Sequence, residues 1–372
     1  MHVGTDAIGT QRALGIPLLK MGNIQRGFFL LDELERLPVG VEVADDDLVS
    51  RGDFLVNTRN TLALVGKGAT WTGCDHVAAF NGNIARLSLR SIDTGFFNYL
   101  YNTPIVLRQV RARAAGTTSV AAIYPRDLGS VTFRVPCISE QKRIGEFFRG
   151  LDALIAANQR KCDLVKKLKQ AYLQRLFPAP GRTVPELRFP GFTDAWEQRT
   201  FGELASRVSL IGGSDSKLPR VEYEDIESGQ GRLRSDVSTK KSIKQGILFE
   251  CGDVLFGKLR PYLKNWLMPD FQGIAVGDWW VLRPSEADSS YVYALIQSPK
   301  YQAVSNLSTG TKMPRSDWGV VSATEFAVPT DKTEQALIGA IFKSLDHLTT
   351  LHQRRRDQIE ELKRGYLQKM FV

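Results

Sequence analysis

Lys258, Arg260, Tyr262 and Lys264 alternate along one stretch, so an extended chain there would place basic and aromatic groups on a single face. Such a face suits contact with phosphates and base edges. The alternative is a solvated hairpin edge kept from aggregating by its charges. Arg59 and Lys67 occupy the equivalent stretch of the first half. A second donor-rich stretch, Ser308-Thr309-Gly310-Thr311-Lys312 followed by Arg315, is built of residues small enough to approach a nucleic-acid backbone closely. Thr117, Thr118 and Arg126 answer it in the first half. Nucleic-acid contact is the expectation there and a plain turn the alternative. Arg354-Arg355-Arg356 and Lys166-Lys167 read instead as solvated helix faces or subunit contacts. The arginines at 108, 111 and 113 suit the C-terminal end of a helix expected from about Phe97 to Arg113.

A search for catalytic patterns returns nothing. The chain has no Asn-Pro-Pro-Tyr or Gly-x-Gly-x-x-Gly for methyl transfer and no Gly-x-x-x-x-Gly-Lys-Ser/Thr for nucleotide binding. Cys74-Asp75-His76 lacks a third or fourth ligand nearby and reads as a structural cysteine beside a surface histidine. Glu361-Leu362-Lys363 imitates part of a nuclease motif but falls in a helical pattern with no strand before it. The four cysteines are scattered without a Cys-x-x-Cys pair, so neither a disulfide framework nor a zinc site is expected. No metal and no cofactor is expected on this chain.

The elements that must position these residues come from a duplication. Glu140-Gln141, Ile144-Gly145, Phe148, Leu151-Asp152, Gln159-Arg160, Leu168-Lys169, Tyr172-Leu173-Gln174 and Phe177 return 194 positions later. There they are Glu334-Gln335, Ile338-Gly339, Phe342, Leu345-Asp346, Gln353-Arg354, Leu362-Lys363, Tyr366-Leu367-Gln368 and Phe371. Roughly two in five positions match over about 38 residues, which marks a duplicated unit rather than a short-period solenoid. Each copy follows a Val-Pro dipeptide, where helix can begin only after the proline.

Ile144, Phe148, Leu151, Ile155, Asn158, Cys162, Val165, Lys169, Tyr172 and Leu176 step alternately by four and three, the spacing of a coiled-coil seam. Ile338, Phe342, Leu345, Ile359 and Tyr366 keep it in the second copy, with a polar middle at Thr349, His352 and Arg356. Two amphipathic helices packed on separate cores would satisfy the spacing as well; the identity of the copies favours helices that pair with each other. The globular segments repeat too, with Gly52-Asp53-x-Leu55 returning as Gly252-Asp253-x-Leu255. The expectation is an α+β chain in tandem repeat: a globular segment at 1–134, a helix and linker at 135–180, a second globular segment at 181–327 and a second helix at 328–372.

Composition fits a soluble protein, with 43% hydrophobic and 24% charged residues among 372. No run of about 18 apolar residues and no signal pattern occurs, so a cytoplasmic protein is expected. A net charge of +9 favours a polyanionic partner. Much of the excess sits at 135–180, with nine Lys and Arg against four Asp and Glu.

The Glu-Gln-x-x-Ile-Gly helix starts, the Lys-x-x-Tyr-Leu-Gln helix ends and the opening Leu187-Arg188-Phe189-Pro190-Gly191-Phe192…Trp196-Glu197 resemble the specificity subunit of type I restriction–modification enzymes. The resemblance covers nearly the whole chain and is weakest in the globular segments. It implies two target recognition domains, each reading one half of a bipartite, asymmetric DNA site. It further implies two conserved helices that pair antiparallel and set the gap between them, about a pseudo-twofold. It implies a subunit without a catalytic centre that docks two methyltransferase subunits, users of S-adenosylmethionine, and restriction subunits driven by ATP and Mg. The first half has no counterpart of the Leu187–Glu197 opening, which leaves two expectations: a first reader lacking that segment, or a chain start that is not the natural one. The other function classes are a nuclease or methyltransferase fused to one reader, which would need the catalytic motif that the chain lacks, a coiled-coil adaptor, and a truncated, silent specificity allele.

Overall fold

The computed structural model describes residues 1–179, 181–213, 217–238, 240, 243–307 and 313–371. The chain divides into two compact units. Unit 1 comprises residues 1–157 with 356–372, and unit 2 comprises residues 158–355. Both divisions fall inside long helices, Ile138–Arg175 and Lys332–Met370.

In unit 1 a four-stranded sheet is built from β1 (His2–Val3), β2 (Phe54–Asn57), β3 (Gly68–Thr70) and β4 (Ile84–Leu87), in the order β1-β4-β2-β3. All its pairings are antiparallel. The repeated Gly-Asp has a local cause here. Gly52 turns the chain at φ 94°, where a side chain would strain it, and Asp53 accepts from the Ser50 N–H and pairs with Arg86 on β4. Helices α1 (Thr94–Tyr101) and α2 (Pro104–Ala112) follow, each with a side-chain N-cap, Asp93 and Thr103.

The single helix expected over 97–113 is therefore two. Pro104 has no N–H to donate and its ring excludes a continuing turn, while Thr103 opens the next helix. Phe54, Phe96, Tyr101 and Val106 form the core against α1 and α2, and Ile144, Phe148 and Leu151 of the first long helix complete it.

Unit 2 repeats the plan with β6 (Ala205–Val208), β7 (Val254–Gly257), β8 (Trp266–Leu267) and β9 (Trp279–Pro284), in the order β6-β9-β7-β8. Gly252 turns at φ 87°, and Asp253 binds its own turn and forks onto Arg283. Helices α3 (Ser289–Leu295) and α4 (Pro299–Ser305) are again capped by Asp288 and Ser298. In unit 2, β5 (Glu197–Thr200) pairs antiparallel with β10 (Glu325–Val328), the strand that leads into the second long helix.

The Gln of each Glu-Gln motif staples its helix to the globular part. Buried Gln141 accepts from the Asp93 N–H at 2.9 Å and donates to the Pro136 carbonyl at 2.9 Å. Gln335 does the same with Asp288 and Pro329, both at 2.8 Å.

Each unit also takes the C-terminal end of the other long helix. In unit 1, Tyr99 donates to Asp152 at 2.8 Å, Lys363 donates to the other carboxylate oxygen, and Phe371 lies 5.7 Å from Phe148. In unit 2, Tyr293 donates to Asp346 at 2.8 Å, Lys169 donates at 2.5 Å, and Phe177 lies 6.0 Å from Phe342. The same contacts recur with the two helices exchanged, and in both units the start of one helix meets the end of the other. Asn158 and His352 meet within unit 2, 3.2 Å apart.

Most of the seam residues pack on the globular cores, as two amphipathic helices on separate cores would. Ile144, Phe148 and Leu151, like Ile338, Phe342 and Leu345, face the globular cores. Val165 and Tyr172 pack on the unit 2 core, and Ile359 on that of unit 1. Ile155 is half-buried, and Tyr366 is 39% exposed, edge-on to Phe147.

Candidate nucleic-acid interface

In unit 2 the basic stretch lies just after β7. It is not extended. Pro261–Leu263 form a 3-10 turn flanked by Arg260 at φ 50° and Lys264 at φ 56°, both left-handed. Pro261 fixes the turn's first residue, so the alternation expected for 258–264 is lost and the four side chains do not share one pleated face. The turn is tied to the loop before the helix Trp318–Ala323: Arg260 N–H donates to the Pro314 carbonyl at 2.7 Å and Ser316 N–H to the Lys258 carbonyl at 2.8 Å. Asp278 lies between, 3.0 Å from Arg315 and 3.7 Å from Lys258. Tyr262 and Lys264 are exposed. Thr309, Thr311 and Lys312 lie outside the described residues.

Unit 1 makes the corresponding junction with a small sheet. Arg59–Asn60 pairs with Ala121–Ala122, which pairs with Ala115–Gly116. That brings exposed Arg59 to the exposed loop carrying Thr117 and Thr118, with Leu62 N–H on the Thr118 carbonyl at 3.2 Å. Arg126 is exposed on the short helix Pro125–Leu128.

Lys67 is half-buried and donates to Gln25 at 2.6 Å; burial and then Arg26 lower its pKa. Burial, followed by Arg111, lowers that of Arg26. Among the described residues none of these three cations has an ion-pair partner. The cluster went unread in the sequence because its members stand 41 and 44 positions apart, and only the fold assembles them.

Unit 2 has an acidic counterweight of its own. Glu222 accepts from Lys240 at 2.7 Å and Lys244 at 2.8 Å, and these bonds hold its pKa down at about 2. A depressed carboxylate contributes stability above its ordinary value and loses it as pH falls through the folded one. Unit 2 should therefore weaken between about pH 4.5 and 2 by about 1 kcal/mol from this group, after discounting for solvent screening. Urea titrations of Glu222→Gln should show that part of the slope removed.

The Cys74–His76 segment serves its own turn: Trp71 donates to the Cys74 carbonyl, Arg51 N–H to Asp75, and His76 is left-handed at φ 56°. No group of three or more His, Cys, Asp or Glu that could hold a metal occurs among the described residues. No described helix is long and apolar enough to cross a membrane.

These elements define a mixed helix-and-strand scaffold, two sheet-and-helix units built on two long helices. Solved structures with this fold are specificity (S) subunits of type I restriction–modification systems. The S subunit from M. genitalium is 13% identical and matches 100% of this chain and 93% of its own at a TM-score of 0.62. The HsdS subunit from Thermoanaerobacter tengcongensis, 15% identical over 99% of this chain and 94% of its own, gives 0.42. A chain from a type I R-M system studied for complex assembly and conformational transition, 14% identical over 99% and 95%, gives 0.48. No protein-family model matches the chain, and neither does any curated protein.

Proposed function

We propose that the chain is a non-catalytic DNA-specificity subunit of a type I restriction–modification complex. Each globular segment would read one half of a bipartite, asymmetric site. The paired helices would act as a coiled-coil spacer and as the docking surface for methyltransferase subunits carrying S-adenosylmethionine, alongside ATP-driven restriction subunits. The observation that carries the reading is the recurrence, in two units of dissimilar loop sequence, of a junction that presents cations after the central strand. Equivalent scaffolds with different loops suit two unlike half-sites. In this reading Arg59, Arg126, Lys264, Arg315 and the Arg26–Lys67–Arg111 cluster supply phosphate contacts, and Tyr262 and the Thr117–Thr118 loop reach the duplex closely.

The test is co-expression with the cognate methyltransferase subunit, followed by sequencing of host DNA for modified adenines. One asymmetric motif of two short blocks, methylated in each, supports the reading. A complex that assembles yet leaves the DNA unmodified favours the adaptor or the silent allele. Arg26→Ala should weaken duplex binding evenly across sequences and lower the slope of log affinity against log salt by about 1, read by anisotropy titrations at several salt concentrations.

A further inference from the structure

The connection that follows the central strand carries the same feature in both units. In unit 1 it runs from β2 to β3 and turns at residues 62–66; in unit 2 it runs from β7 to β8 and turns at Pro261–Leu263. Each turn holds two large apolar side chains away from the core. Leu62 and Leu64 are 40% and 39% exposed, and Tyr262 and Leu263 are 54% and 39% exposed. Single exposed leucines are ordinary on a protein surface. A pair on the same connection of two units with unlike loop sequences is not scattered.

Neither turn is loose. In unit 1 the Leu64 and Val65 N–H groups donate to the Thr61 carbonyl at 3.0 and 2.9 Å, and Gly66 N–H donates to the Asn57 carbonyl at 2.8 Å. The loop carrying Thr117 and Thr118 holds one side through the Leu62 N–H, and Arg26 holds the other by donating to the Ala63 carbonyl at 3.4 Å. In unit 2 the loop before the helix Trp318–Ala323 again holds one side, through its bonds with Arg260 and Lys258. On the other side Gly229 N–H donates to the Lys264 carbonyl at 2.9 Å, and the Ser228 hydroxyl donates to the Leu263 carbonyl. Arg260 and Lys264 keep left-handed backbone, which side chains disfavour, so the surroundings rather than the turn's own residues set its shape.

Cations rim both tips: Arg26, Arg59 and Lys67 in unit 1, Arg260 and Lys264 in unit 2. An apolar partner would have no use for the rim, and a row of phosphates would have none for the tip. A duplex has both surfaces, charge outside and stacked bases within.

We propose that the two tips are wedges, each entering the duplex at one base step and unstacking it: Leu62 with Leu64 in one half-site, Tyr262 with Leu263 in the other. This rests on the DNA reading and adds to it a contact with base faces rather than with base edges or phosphates. Pyrimidine–purine steps unstack most easily, so each half-site should contain one at the point of entry.

The test uses the full chain without partner subunits, so that any unstacking is its own. A duplex is selected on it from a random-sequence pool, and 2-aminopurine, whose fluorescence rises when stacking is lost, is placed at successive positions. A several-fold rise is expected at one step in each half-site. Tyr262→Ala with Leu263→Ala should remove one rise and Leu62→Ala with Leu64→Ala the other, each pair weakening binding about tenfold. The slope of log affinity against log salt should stay unchanged in these variants, because apolar contact releases no counterions, whereas Arg26→Ala lowers it. The four side chains are exposed, so an unchanged melting temperature checks that the variants fold, and the scan of the unaltered chain stands without them. Salt-dependent binding with no rise at any position overturns the proposal and leaves the DNA reading intact. A rise that survives the alanine variants overturns it as well. Failure to select any duplex overturns both.

Discussion

Lys169→Met should destabilise unit 2 by about 3–5 kcal/mol, and Asp346→Asn in the same chain should return most of that loss. The two side chains are 11% and 15% exposed, and methionine keeps the volume while removing the charge. What remains is a buried carboxylate with Tyr293 as its hydrogen-bond donor. Breaking a buried pair costs more than replacing both partners, so the cycle should be strongly non-additive. Burial already raises the Asp346 pKa against the pull of Lys169. A carboxyl raised in the folded state gains stability as pH falls through its folded value, so the Lys169→Met deficit should shrink as the pH is lowered. Urea unfolding followed by tryptophan fluorescence reads this directly, because five of the six tryptophans, 196, 266, 279, 280 and 318, belong to unit 2. The matching Lys363→Met in unit 1 should cost about 1 kcal/mol or less, since Asp152 is 42% exposed. Equal losses at both sites would contradict the argument from burial.

The second large effect reverses a familiar sign. Glycine to alanine inside a helix usually gains up to about 1 kcal/mol. At Gly339 a methyl group would stand 2.5 Å from the Ser290 carbonyl carbon, and main chain of α3 cannot move aside as a side-chain tip can. Overpacking of this kind costs about 1–3 kcal/mol or more, so Gly339→Ala should lose about 2 kcal/mol net. Gly145→Ala meets the Phe96 nitrogen at 2.8 Å and should lose less. Gly150 and Gly365 meet nothing within 4 Å, so alanine there should stabilise. Urea midpoints of the four variants check the order, and a stabilising Gly339→Ala would refute the close approach.

These glycines show what the sequence made legible. The Ile-Gly pair was visible as a repeat, and so were the helices, because a period of three and four over 38 residues leaves few other folds open. The reason for the pair was not visible, because contact between helix and globular part joins residues some 50 positions apart. The same holds for Asp152 and Lys363, repeated letters whose partnership crosses the chain. Elsewhere it was local proline signals that were passed over. Pro104 was read through as helix although its capping Thr103 stood beside it, and the alternation at 258–264 was read as a strand although Pro261 held it in a turn.

The exchange of helix ends has a consequence for how the protein is made. Unit 2 is one continuous stretch and can close as soon as it leaves the ribosome. Unit 1 needs Phe371 against Phe96 and Phe148, residues synthesised roughly 200 positions after the rest of its core. At about 5–20 residues per second that is a wait of about 10–40 s, with apolar surface uncovered. The half translated first is thus the half finished last, and conditions that stall translation beyond residue 355 should leave unit 1, rather than unit 2, dependent on chaperones.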